Sequence, residues 1–95
     1  MITLTGRAVE VIRNLTAQQG LSEDTGLRIA QQGYAGSLGL SICPCPQAGD
    51  EIIETGGVRV FLQETAAAML DGRVLDARME DDGLVLQIGA RRVSS

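Results

Sequence analysis

At 95 residues, with 12 acidic against 8 basic residues and a formal net charge of -4, the chain has the length of one small domain and no basic surface with which to displace counterions from a nucleic-acid backbone. Every basic residue is Arg, histidine is lacking, and apolar residues make up 44% with one Phe, one Tyr and no Trp, so the core has to be an aliphatic mesh of Val, Ile, Leu, Met and Ala. A chain this long buries about 60 to 65% of its unfolded surface, enough for one modest core, and residues 1–95 are therefore read as a single domain.

Met1 to Arg7 lacks both the charged-then-apolar pattern of a signal peptide and the Arg/Ser-rich pattern of a transit peptide, and no window approaches the ~20 apolar residues of a membrane span. A cytoplasmic protein without membrane or nucleic-acid partners is expected, with Cys43 and Cys45 kept as free thiols unless they bind metal or do redox chemistry. Arg91 and Arg92, the adjacent basic pair, read as a solvated tail.

Ile2 and Leu4 form a short alternating lead-in to Thr5, whose hydroxyl is placed to cap a helix. Leu4 and Val9 fall at the two positions of a hydrophobic staple. Ala8, Val11, Ile12 and Leu15 keep helical spacing, and Gly20 is the expected stop. This helix is expected to pack through Ile12 and Leu15 on a sheet containing Leu27, Ile29 and Leu40. A polar connector, Leu21 to Gly26, leads into that sheet.

The next stretch organises the chain. Leu27 and Ile29 alternate with Arg28 and Ala30, and Leu38, Leu40 and Ile42 alternate with Gly39, Ser41 and Cys43, so two strands of period two flank Gly33-Tyr34-Ala35-Gly36. The two glycines permit positive φ or close backbone approach, and the side chain presented between them is Tyr34. Pro44 and Pro46 then remove ladder donors and end the second strand. Glu51 to Glu54 and Val58 to Leu62 are strands around a Thr55-Gly56-Gly57 turn. Gln63 opens a short helix from Glu64 to Leu70, expected to be mostly buried and stopped at Asp71-Gly72. Val74 to Met79 and Leu84 to Ile88 make a hairpin through Glu80-Asp81-Asp82-Gly83, with Asp-Gly as the favoured turn pair. The fold class is α+β: small, mostly antiparallel or mixed sheets with one longer N-terminal helix and one short helix.

Thr3-Leu4-Thr5 ahead of an amphipathic helix, Gly26-Leu27-Arg28-Ile29, the Gly33-x-x-Gly36 loop, Gly57-Val58-Arg59-Val60, and Leu70-Asp71-Gly72 followed by Leu75-Asp76 resemble, in order and spacing, the HesB-like family of A-type iron-sulfur carriers. The resemblance runs from about Ile2 to Ile88. It implies a HesB-like fold, dimers or larger assemblies, and a role in holding iron or an iron-sulfur cluster in transit. It also implies three cysteine ligands, one in a Gly-Cys-Ser-Gly type loop and two in a Cys-Gly-Cys tail. Here the loop position is Tyr34, and after Gly89 the chain reads Ala90-Arg91-Arg92-Val93-Ser94-Ser95. Gln63 replaces the acid that usually precedes the second helix.

Clusters are held by thiolates, which phenol and guanidinium groups do not replace. The expectation is therefore a degenerate relative that binds no cofactor, acts through protein partners of iron-sulfur assembly, and uses Tyr34 as an interaction residue near the surface. The alternative is an iron or iron-sulfur carrier with a relocated metal site, in which Cys43 and Cys45 from two chains of a homodimer supply four thiols. Against it, Cys43 continues the small-residue face of Gly39 and Ser41 and reads as packing. A Cys43–Cys45 disulfide would span Cα atoms ~6.6 Å apart, at the edge of bridgeable geometry. No catalytic residue is assigned and no enzyme is expected: Tyr34, Ser37 and Ser41 have no evident base, the acidic run Glu80-Asp81-Asp82 reads as a solvated turn, and Asp76 as a group that orders a turn.

Overall fold

A computed structural model describes residues 2–17, 23–33 and 38–89. In chain order the elements are β1 (Thr3–Leu4), α1 (Gly6–Thr16), β2 (Gly26–Gln31), β3 (Leu38–Cys43), β4 (Glu51–Thr55), β5 (Val58–Leu62), α2 (Glu64–Leu70), β6 (Val74–Glu80) and β7 (Gly83–Gly89). They form two small sheets, one of order β3-β2-β5-β4 and one of order β1-β6-β7. Both are mixed: β2 runs parallel to β5 and β1 parallel to β6, while the β2/β3, β4/β5 and β6/β7 pairs are antiparallel.

One aliphatic core joins the sheets. Leu27, Ile29, Ile53, Val58, Val60 and Leu62 come from the four-stranded sheet, Leu75 from β6, Ile12 from α1, and Ala66 and Leu70 from α2. Thr5 caps α1 by accepting from the Ala8 amide at 3.0 Å, and Leu4 and Val9, the expected staple, are partly buried against the core.

Two local expectations are corrected. The helix ends at Thr16 rather than running on toward Gly20, which lies outside the described residues; the Thr16 hydroxyl donates to the Ile12 carbonyl at 2.9 Å, and Ala17 leaves helical geometry at φ -91, ψ 10. The helix packs as expected, with Ile12 in the core beside Leu27 and Ile29 and Leu15 lining a cleft with Leu27 and Leu40, and it rests on β6 of the other sheet as well. In the β6–β7 hairpin, Glu80 pairs with Gly83, so the two loop residues are Asp81 and Asp82, with Gly83 carrying the positive φ of 123°.

Helix α2 has the expected bounds, but it is amphipathic rather than mostly buried: Ala66 and Leu70 face the core, whereas Glu64, Thr65 and Ala68 are exposed. The Gln63 side chain accepts from the amides of Ala66 and Gln31, each at 3.2 Å, so one neutral residue both caps the helix and pins it to the end of β2. At the β4–β5 turn Gly56 and Gly57 both have positive φ, 58° and 84°, the pattern of a two-residue turn matched to strand twist.

Candidate functional site

Alternation along β2 sends Leu27 and Ile29 into the core and leaves Gly26 and Arg28 on the outer face. Directly paired residues share a face, so Arg28 stands between Ser41 of β3 and Phe61 of β5, and Cys43 stands opposite Gly26. Phe61 is fully buried here, on the side away from the aliphatic core. Gly26 makes that possible: a Cβ at this position would lie 2.8 Å from the Phe61 ring and 2.7 Å from the Arg59 carbonyl oxygen.

The same face carries a closed ion pair. Arg28 Nε donates to Asp50 Oδ2 at 2.9 Å and Nη2 to Oδ1 at 3.1 Å, with the Asp50 side chain only 2% exposed. Asp50 also accepts from the Gln47 amide at 2.9 Å, while its own amide donates to the Gln47 carbonyl at 3.0 Å. The loop after the Cys-Pro-Cys-Pro run is thus clamped to β2 at its far end. Arg28 holds the Asp50 carboxyl below its ordinary range, aided by the Gln47 amide and opposed by burial. The guanidinium is raised in return, first by Asp50 and to a lesser extent by Cys43.

Cys43 ends β3 half-buried, its Sγ 3.5 Å from Ser41 Oγ, and Cys45 is exposed in the loop; both are free thiols. Cys43 is therefore on a polar outer face beside Arg28 rather than at the small-residue core position expected of it. Among the described residues no three His, Cys, Asp or Glu side chains gather as a metal ion would need. Two thiols from one chain also fall short of the four ligands of a cluster or a tetrahedral zinc.

Tyr34, the expected interaction residue, lies outside the described residues. Its loop is bracketed by Gly33, with φ 68°, and by Leu38, which pairs with Gln31 at one end of the β2–β3 ladder. Cys43 pairs with Gly26 at the other end. Five residue steps separate Leu38 from Cys43, about 17 Å of extended chain. Among the described residues, Cys43 therefore lies at the end of the ladder away from Gly33 and Leu38.

A second clamp joins the sequence-predicted Asp76 to helix α1. The Thr5 hydroxyl donates to Asp76 Oδ1 at 2.6 Å, Arg7 Nε donates to the same oxygen at 3.3 Å, and Arg7 Nη2 pairs with Oδ2. Arg7 first, then Thr5, hold this carboxyl far below the usual range. Asp76 thereby ties β6 to the start of α1. A hollow of about 460 Å³ at the β4–β5 turn is lined by Glu23, Asp24, Glu54 and Arg59, among others, and Arg59 pairs with Asp24 at 3.1 Å and Glu54 at 3.6 Å.

Reading the sequence missed the Arg28–Asp50 pair. The available signal was a charged residue inside an otherwise apolar strand, but its partner lies 22 positions away beyond a proline-rich loop.

No protein-family model matches the chain, and no curated protein matches it significantly. Solved structures do. Escherichia coli SufA, involved in biosynthesis of iron-sulfur clusters, shares 26% identity over 92% of this chain and 82% of its own, with a TM-score of 0.66. IscA, solved with a [2Fe-2S] cluster, shares 21% identity over 100% of both chains, also with a TM-score of 0.66. A protein from Aquifex aeolicus, solved by solution NMR, shares 22% identity over 94% of this chain and 90% of its own, with a TM-score of 0.75. With two helices and two mixed sheets in the order described above, the chain has the HesB-like α+β fold of the SufA and IscA type.

Proposed function

We propose that this chain is a protein of iron-sulfur assembly that works through contacts with protein partners, without holding a cluster and without catalysing a reaction. The fold it shares with SufA supports the assembly role. The observation that supports the finer reading is the register of the β2–β3 ladder, which puts Cys43 at the end away from Gly33 and Leu38. A cluster site in the manner of the family would need a thiolate in the Gly33-x-x-Gly36 loop, where this sequence has Tyr34, and Cys43 stands at the opposite end of the ladder. Tyrosine supplies a large apolar area with a polar tip, which suits a contact surface.

One observation favours a second reading, in which two chains pool Cys43 and Cys45 to carry iron or a cluster. Cys45 is exposed, and Cys43 lies on a strand at the margin of its sheet, so thiols from two copies have access to one another. Activities of iron-sulfur enzymes in the native host separate the two. Cells expressing Cys43→Ser/Cys45→Ser should match wild type, and cells lacking the chain should show reduced activities. A double-serine strain as impaired as the deletion would favour the carrier reading, and a deletion without effect would remove the assembly role.

A further inference from the structure

Among the described residues, the inner face of the four-stranded sheet is not covered along its whole width. Leu38, Leu40 and Ile42 of β3 point to the same side as Leu27 and Ile29, yet Leu40 remains 38% and Ile42 39% exposed. With Leu15, Leu27, Ser41 and Leu84 they line a cleft of about 300 Å³. Leu84 belongs to β7, so this cleft runs between the margins of both sheets. Among the described residues β3 pairs with β2 alone and β7 with β6 alone.

The margins of the four-stranded sheet are guarded unequally. β4, at one side, carries Glu51 and Glu54, charges of the kind that discourage pairing with another chain. β3, at the other, reads Leu-Gly-Leu-Ser-Ile-Cys and carries neither a charge nor a proline. One wall of the cleft leads into an acidic turn: Leu84 follows the hairpin tip formed by Glu80, Asp81 and Asp82, all exposed.

We propose that this cleft takes an extended segment of a partner protein, added to β3 as a fifth strand, with apolar side chains at alternate positions and an Arg or Lys placed to meet the acidic tip. A strand is the form that satisfies the outward N–H and C=O groups of β3 while seating every second side chain among Leu40, Ile42 and Leu84. Charge selects a basic segment over a second copy of this chain, which would bring another acidic hairpin tip and another net charge of -4. The inference rests on the reading that the protein works through contacts, and it names the surface and the partner chemistry.

The test is selection of random twelve-residue displayed peptides on the full chain, followed by affinity measurement with the synthetic winners. Peptides with alternating apolar residues and at least one Arg or Lys should emerge. They should protect the amides of residues 38–43 from exchange and bind at least about tenfold more weakly to Leu40→Lys or Ile42→Lys. Asp81→Asn/Asp82→Asn, altered only at the exposed tip, should weaken them as well and remove much of their salt dependence. Enrichment of acidic peptides, no enrichment, or affinities indifferent to all these variants would overturn the proposal. So would a wild-type dimer that Leu40→Lys converts to monomer, since a second copy would then occupy the cleft. Peptide binding requires neither iron nor a cell, so its failure is separable from failure of the assembly role in the host.

Discussion

The two faces of β2 are built from different chemistry on the same six residues. Inward, Leu27 and Ile29 meet Val60, Leu62, Ile12 and Leu75 in an aliphatic mesh that many neighbours share. Outward, stability is concentrated in two features, the Phe61 ring seated over Gly26 and the Arg28–Asp50 pair that clamps the loop after Cys45. Losses on the inner side can be spread among aliphatic neighbours, whereas on the outer side each feature has its own partners. The outer face also holds Cys43, and Cys45 follows in the loop that this pair clamps, so what looks like a ligand pair in sequence sits in a region organised by a structural lock.

The largest effect should come from Phe61→Ala, which empties the ring's place and should cost about 3–5 kcal/mol in denaturant unfolding. A loss below about 1 kcal/mol would mean that the outer face does not depend on the ring. Asp50→Ala leaves the Arg28 guanidinium without its partner and should cost about 2–3 kcal/mol. It should also raise amide exchange in residues 44–50 and speed alkylation of Cys43, while exchange in the α1 core stays as in wild type. Equal loosening of both regions would dissolve the distinction between the faces.

Acid should act through the same pairs. Asp50 and Asp76 have folded-state carboxyls below their unfolded range of about 3.9, so the unfolded chain binds more protons as pH falls. Their contribution is fully present above about pH 5 and is lost as pH drops through the folded values. Thermal stability should therefore decline below about pH 4, with a shallower decline in Asp50→Asn. A steeper decline in that variant would contradict the assignment.

The smallest effects are expected at the residues singled out first in the sequence. Cys43→Ser/Cys45→Ser and Tyr34→Ala should each change stability by no more than about 1 kcal/mol. Tyr34→Ala should instead weaken partner capture or self-association. A large stability loss with no change in association would remove its role as an interaction residue.

Periodicity made most of the fold legible. Alternation at Leu27/Ile29 and Leu38/Leu40/Ile42 placed β2 and β3, Thr5 marked the start of α1, and Gln63 and Leu70 bounded α2, because each of these is a local signal. Three features were not legible. The support of α1 by β6 depends on two sheets meeting, which no single window of sequence records. The Arg28–Asp50 pair depends on a loop returning across 22 positions. The exposure of Leu40 and Ile42 depends on where a sheet stops: alternation gives the face but not the margin. Of the candidate residues singled out in the sequence, Cys43, Cys45 and Tyr34, the ladder register places Cys43, opposite Gly26 and at the far end from the Leu38–Gln31 pair.

The central claim is that this fold is kept here without the thiolate constellation of a carrier. Anaerobic reconstitution of the purified protein with ferrous iron and sulfide, followed by desalting and metal analysis, tests it most directly. The account predicts iron and sulfide far below one per chain and no visible charge-transfer band, in wild type and Cys43→Ser/Cys45→Ser alike. Stoichiometric iron and sulfide with a visible band in wild type, both lost in the double variant, would contradict it.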